Sequence, residues 1–205
     1  MCTLHFQSTY VSQNLNAMEK TANSFKVAVL VADGFEQIEM ACPRKVLKQN
    51  GACVHIISPN KDVVKGWNQV DWGNEHRVDV PLTMARAEYY DALMIPGGIM
   101  SMDTLRDNVH AVRFVKSFFD LGKVVGAICH GSQLLINANV IIGRKLTSNH
   151  AIRLDLENAG ALWLNKPVVV DNGLVTSRTV DDLPMFTKQL LKEFDLHGAI
   201  EKTTP

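Results

Sequence analysis

Lys123-Val-Val-Gly-Ala-Ile-Cys-His-Gly131, continued by Ser132-Gln-Leu-Leu-Ile136, is the stretch on which the fold turns. Val124, Val125, Ala127 and Ile128 form a short apolar run bounded by Gly122, the pattern of a strand buried on both faces. After Gly131 the spacing changes, and Leu134, Leu135 and Ala138 recur at the three- and four-residue intervals of a helix. Cys129 therefore sits where a strand turns sharply into a helix. Ala127 and Gly131 flank it two residues away on either side, the nucleophile-elbow spacing with cysteine in the place of serine. Small neighbours are needed there because the tight turn brings backbone segments together. An elbow of this kind puts the sulfur at the carboxyl edge of the sheet, where α/β folds place their ligands.

The thiolate is the reactive form of cysteine, and a free thiol with a pKa of about 8.5 is mostly protonated at neutral pH. A helix N-terminus carries partial positive charge and unpaired N–H groups, so the elbow is expected to lower that value. His130 is adjacent and is a candidate base or ion-pair partner. A buried structural thiol is the commoner fate of a lone cysteine. The elbow spacing and the neighbouring histidine favour a nucleophile instead.

The 205 residues are consistent with one large domain, and at 46% hydrophobic content they can bury a substantial core. Lys plus Arg equals Asp plus Glu at 21 each, and no basic stripe appears, so the sequence gives no support for nucleic-acid binding. No apolar run approaches the roughly 18 residues that a bilayer span requires. Residues 1–23 lack the basic and apolar regions of a signal peptide. Cys2, Cys42, Cys53 and Cys129 show neither CxxC spacing nor disulfide-framework density, so a reducing cytoplasm is the expected setting. No metal or other cofactor is expected.

Residues 1–24 are polar and aperiodic and read as a flexible extension, with Met18 a candidate start; residues 25–198 read as a single domain and 199–205 as a tail. Lys26–Ala32 is the first buried strand. Asp33-Gly34 turns the chain, and Phe35-Glu36-Gln-Ile-Glu39 opens a helix that contains Pro43 and stops at Gly51. Glu36 and Glu39 share a face of it. Residues 52–58 form a second strand on which Cys53 and His55 share a face, better read as packing than as a metal pair. Residues 60–81, with Gly66-Trp67 and Trp72-Gly73, read as a β-excursion with aromatic plugs, and His76 as structural. Residues 90–96 form the next buried strand. Gly97-Gly98 at its end lets backbone N–H groups approach a ligand, and Asp103, Arg106 and Asp107 are placed in a loop beyond it. Val109–Leu121 is an amphipathic helix. After the elbow, residues 143–148 return to the sheet, with Asn149-His150 at the end, and 152–158 are helical. Asn172-Gly173 turns a hairpin between 167–170 and 174–177, and Asp181-Asp182-Leu-Pro184 caps a last helix reaching about Leu196. Continuously apolar strands alternating with helices predict a mostly parallel sheet with helices on both faces.

Six motifs in order resemble the PfpI-type intracellular protease/amidase family, within the superfamily of the parkinsonism-associated protein deglycase. They are Gly34-Phe-Glu-x-x-Glu39 with Pro43; Asp91 to Gly98; Ala127-Ile-Cys-His-Gly131; Gly143-Arg144 with Leu146-Thr-Ser148; Asn158-Ala-Gly-Ala161; and Thr176-Ser-Arg178 with Asp182-Leu-Pro184. The likeness runs from Lys26 to Phe194. It implies an α/β flavodoxin-like three-layer sandwich related to class I glutamine amidotransferases. It also implies roles: Cys129 as nucleophile, His130 as its triad neighbour, Glu39 as a carboxyl sharing a proton with the thiol, and Asp103 in the acidic position that PfpI-type members supply across a subunit interface. The oxyanion and substrate-binding positions are Gly97, Gly98, Gly131, Asn149 and His150, with the Gly98 and His130 amides as oxyanion donors. The chain departs from the pattern in a loop one residue longer after Gly98 and in Asn149 where relatives carry tyrosine.

The resemblance implies a homodimer or larger assembly and a cysteine-dependent, stress-related enzyme acting on small carbonyl or amide substrates. That class spans glyoxalase, deglycase, peptidase and amidase chemistry. The alternative is a redox-sensing or chaperone-like protein in which Cys129 is oxidised.

Overall fold

The computed structural model describes residues 25–194. The expected N-terminal extension and C-terminal tail lie outside the described residues. Twelve strands are described: β1 (Lys26–Leu30), β2 (Phe35–Glu36), β3 (Cys53–Ser58), β4 (Val63–Asn68), β5 (Asp71–Arg77), β6 (Val80–Pro81), β7 (Ala92–Ile95), β8 (Val124–Ile128), β9 (Lys145–Leu146), β10 (Leu162–Trp163), β11 (Val168–Asp171) and β12 (Leu174–Ser177). Six α-helices join them: α1 (Gln37–Gln49), α2 (Ile99–Arg106), α3 (Val109–Asp120), α4 (Gln133–Asn137), α5 (Arg153–Asn158) and α6 (Leu183–Glu193).

Seven strands form the central sheet in the order β11-β12-β8-β7-β1-β3-β6. Every pairing is parallel except β11–β12. Side chains alternate across the sheet, so Ala28 and Leu30 enter one apolar layer and Val27 and Val29 the other. The first layer is closed by Met102 and Leu105 of α2, Phe114 and Phe118 of α3, and Leu134 and Leu135 of α4. The second is closed by Met40 and Leu47 of α1 and by Phe186 and Leu190 of α6. This is the expected three-layer α/β sandwich. Leu190 is fully buried, and a Cβ at Gly126 would stand 2.5 Å from its Cδ2, so helix α6 sits hard against β8. Leu190→Ala is expected to cost about 3 kcal/mol through the cavity it leaves, read as a lower urea midpoint.

The Asn172-Gly173 hairpin forms as expected, with φ of 46° and 79° at its two turn residues. Four local expectations change. Residues 99–106 are a helix rather than a loop: Ser101, Met102 and Leu105 are buried, and the Met102 N–H bonds the Gly98 carbonyl at 3.0 Å. Phe35–Glu36 is a short strand beside β4, so α1 begins only at Gln37. Segment 145–146 does not join the main sheet, because β11 already occupies the edge of β12; it pairs with β10 instead. Asp182 does not cap α6 with its side chain, because its carboxylate is held by Arg178 at 2.9 and 3.1 Å.

The 60–81 excursion is an antiparallel β4–β5 hairpin on which Trp67 and Trp72 meet edge to face at 5.7 Å. Pairing of β2 with β4 sets Glu36 level with Trp67 and swings the hairpin over the carboxyl end of the sheet. Cys53 and His55 do share a face. Cys53 Sγ lies 3.4 Å from His55 Nε2, and His55 Nδ1 lies 3.1 Å from the Tyr90 hydroxyl.

Candidate active site

Strand β8 ends at Ile128, and Cys129 takes a φ of 59°, a left-handed conformation rare for a residue with a side chain. The turn that follows is a single 3₁₀ segment, Cys129–Ser132, leading into the five-residue α4. Gly131 makes this possible: a Cβ there would lie 2.5 Å from the Ile95 carbonyl oxygen and 3.0 Å from that of Pro96. Its place in the site is therefore to let the elbow close on β7.

Glu39 reaches the elbow from the first turn of α1 and is 1% exposed. Its Oε2 accepts the Gly97 N–H at 2.8 Å, and its carboxyl stands beside Cys129, close enough for the two groups to influence each other's protonation. Pro43 follows four residues later in the same helix and has no N–H to donate to the Glu39 carbonyl. A Cβ on Gly97 would stand 2.6 Å from Glu39 Oε2 and 2.9 Å from Cys129 Cβ. Gly97 therefore positions Glu39, its N–H being committed to that carboxyl. Gly97→Ala is expected to push carboxyl and sulfur apart and to lower kcat/KM by about a hundredfold, since a displacement of ångström size at reacting groups has that effect.

Burial raises the Glu39 carboxyl to about 7, helped by the charge of Glu36; the Gly97 N–H and the thiol pull the other way. Burial also raises the Cys129 thiol, and the Glu39 carboxylate adds to it, while the His130 N–H and the Asn149 amide oppose them. The expected lowering by a helix N-terminus is outweighed. Only one tight turn and a five-residue helix stand behind the sulfur, too little dipole to offset desolvation beside a carboxylate. Above about pH 7 the pair holds one proton, which rests on the sulfur with the carboxylate beside it as acceptor.

His130 Nδ1 lies 3.3 Å from Cys129 Sγ. Burial lowers the imidazole pKa, and the Asp103 carboxylate partly restores it. Asp103 stands exposed on α2 of the same chain, and among the described residues it makes no hydrogen bond to His130. Asn149 Nδ2 is 3.7 Å from Sγ. His150 turns away and meets Trp163 edge to face at 5.8 Å.

The sulfur opens on a cleft of about 470 Å³, lined by Gly34, Glu36, Glu39, Trp67, Gly98, Ile99, Met100, Cys129 and His130. Glu39, Gly98, Cys129 and His130 are thus brought together; Asn149 reaches Cys129 with its side-chain amide and its backbone N–H but does not line the cleft, and Gly97 and Gly131 lie behind the site. Trp67, Ile99 and Met100 are cleft residues that spacing alone does not mark, and Glu36 lines the cleft beside Glu39. Gly66-Trp67 was a visible signal, but only the β2–β4 pairing carries Trp67 to the cleft.

A sequence model of the DJ-1/PfpI family matches residues 25–193. The chain is 44% identical to general stress protein 18 of Bacillus subtilis, over 81% of this chain and 95% of that one. It is 41% identical to protein/nucleic acid deglycase 2 of Escherichia coli, over 82% of this chain and 97% of that one. Among solved structures it superposes with a TM-score of 0.80 and 37% identity on a protein of Anabaena variabilis with a DJ-1/ThiJ/PfpI-like and a ferritin-like domain. That match covers 86% of this chain and 50% of the two-domain chain.

Proposed function

Because the chain belongs to the DJ-1/PfpI family, we propose that it is a cysteine-dependent enzyme acting on small carbonyl compounds, with Cys129 as nucleophile and Glu39 as the group that moves its proton. The observation that carries this reading is the contact of a half-buried thiol with a buried carboxyl, at the end of a cleft walled by Trp67, Ile99 and Met100. Glu39 takes the thiol proton as Sγ bonds to the carbonyl carbon. The same proton then passes to the former carbonyl oxygen, giving a neutral hemithioacetal with no net proton uptake. The backbone N–H groups of Gly98 and His130 are the donors assigned to the developing oxyanion. His130, biased to its neutral form, is available to accept a proton in later steps.

An aldehyde or an early carbonyl adduct of an amine fits a cleft of this size better than a folded polypeptide. The name of the Escherichia coli relative, a deglycase, is in keeping with that substrate class. A reducing cytoplasmic setting and an assembly of two or more copies belong to the same reading. Cys42, Cys53 and Cys129 are free thiols.

The test is to assay methylglyoxal consumption and dipeptide-amide hydrolysis in parallel, with mass spectrometry of peroxide-treated protein. Turnover of the aldehyde is the expected result. Hydrolysis of the amide alone would move the chemistry to acyl transfer, and oxidation of Cys129 with no turnover of either compound would replace the enzyme reading by a redox one.

A further inference from the structure

Cys53 is a half-buried free thiol with a base beside it. Its Sγ lies 3.4 Å from His55 Nε2, and the other ring nitrogen of His55 lies 3.1 Å from the Tyr90 hydroxyl. A nucleophile within reach of a base, and a base held by a third group, is the arrangement that nucleophilic sites share. The Tyr90 ring meets the imidazole edge to face at 5.7 Å, which fixes the plane of the base. The Tyr90 hydroxyl keeps its proton at neutral pH, because burial, then the charges of Asp79 and Cys53, push it up to about 12. Cys53 opens β3 and Lys26 opens β1, so the group sits at the amino end of the parallel strands, whereas Cys129 follows the carboxyl end of β8. Next to it is a cavity of about 250 Å³, lined among others by His55, Tyr90, Lys26, Arg86 and Met84. Lys26 is the register partner of Cys53 and shares its face of the sheet. Among the described residues Lys26 and Arg86 form no ion pair, and no carboxylate lines the cavity. The nearby carboxylates are engaged elsewhere: Asp79 Oδ2 accepts the Ile56 N–H at 2.8 Å, and Asp91 Oδ2 the Lys26 N–H at 2.7 Å.

We propose that Cys53 is a second reactive thiol, which forms mixed disulfides with small disulfides bearing carboxylates, the bound half lying in the cavity with its carboxylate against Lys26 and Arg86. His55 Nε2 takes the Cys53 proton as Sγ attacks one sulfur of the reagent. The S–S bond of the reagent breaks, a new disulfide forms on Cys53, and the departing thiolate collects the proton from His55. The reagent is the oxidant: Cys53 is oxidised and the departing half is reduced to a thiol. For Nε2 to accept, Nδ1 keeps its hydrogen and donates it to the Tyr90 oxygen, which makes Tyr90 a positioning residue. The two cations draw an anionic reagent to the sulfur and hold it there. The site stands apart from the cleft and does not depend on the role given to Cys129.

The test follows adduct formation at each cysteine of the full-length protein by peptide mass spectrometry, with dithiodipropionate and with its neutral counterpart, hydroxyethyl disulfide. Each rate is divided by that of the same cysteine in the urea-unfolded chain, which removes the intrinsic difference between the reagents. Folded wild-type Cys53 is expected to prefer the anionic reagent by about tenfold. With that reagent it should also react about tenfold faster than Cys42. His55→Gln should slow both reagents at Cys53 by about tenfold or more, and Tyr90→Phe by less. Lys26→Gln combined with Arg86→Gln should abolish the preference and leave the neutral reagent's rate unchanged. A wild-type Cys53 that reacts no faster than Cys42, or that shows no preference for the anion, would overturn the proposal, and neither comparison relies on a variant that must fold. A His55→Gln protein with unchanged thermal midpoint and unchanged rates would overturn it as well. None of these rates involves carbonyl turnover, so failure of the catalytic reading leaves this test intact.

Discussion

Cys129→Ser is expected to lower kcat/KM for the carbonyl substrate by a factor of about a thousand or more, with the fold intact. The serine hydroxyl occupies nearly the same space at the same strained φ of 59°, so the elbow can close as before. What changes is the acidity of the attacking atom. Glu39, with its carboxyl at about 7, can take a proton from a thiol far more readily than from an alcohol. Loss of rate with an unchanged thermal midpoint and circular-dichroism spectrum supports nucleophilic catalysis. A serine variant that keeps more than about a tenth of wild-type kcat/KM would assign the chemistry to other groups in the cleft.

Glu39→Gln should reduce activity to a comparable degree while making the protein more stable at alkaline pH. The carboxyl stands at about 7 in the folded protein against 4.5 when exposed in the unfolded chain, raised chiefly by burial. A carboxyl raised in this way binds its proton more tightly in the folded state. Its stabilising contribution is complete below about pH 4.5 and is lost as pH rises through about 7. The difference between the two values amounts to about 3 kcal/mol above pH 7. Glutamine keeps an oxygen for the Gly97 N–H and carries no charge, so the variant should unfold at higher urea concentration than the wild type at pH 8 and at a similar concentration near pH 4.5. Activity runs the opposite way. The pair must lose one proton before carboxylate can act as base, so wild-type kcat/KM should rise with pH through about 7, and the variant should lack that limb. A Glu39→Gln protein that is less stable than the wild type at pH 8, or that keeps the rising limb, would contradict the assigned proton traffic. The conditions that favour catalysis are thus those in which this residue weakens the fold, the trade expected of a buried general base.

Much of the scaffold was readable because single-residue chemistry leaves local traces. Apolar runs such as 27–32 and 124–128 can only be strands covered on both sides, and Asn172-Gly173 can turn a hairpin without strain. The 99–106 helix was missed because Gly97-Gly98 suggested a ligand loop, and its buried Ser101, Met102 and Leu105 sit in too short a run to declare a period. The 145–146 segment looked like another central strand because its residues suit one; its partner was decided by which edge was still free.

The order of the chain alone determined that a cysteine would follow a buried strand between Ala127 and Gly131, that a glutamate would lie five residues after Gly34, and that a glycine pair would end the neighbouring strand. These are local facts, fixed by spacing. The acidity of that sulfur was decided only in three dimensions: the burial that raises Cys129, the carboxyl that α1 delivers to it, and the Gly97 N–H that holds the carboxyl there come from segments 30 to 90 positions away in the chain. Trp67 and Glu36 became parts of one cleft for the same reason, since strand pairing, and not sequence distance, sets which side chains share a wall. Electrostatic environment depends on everything packed around a group, and no window of sequence contains that.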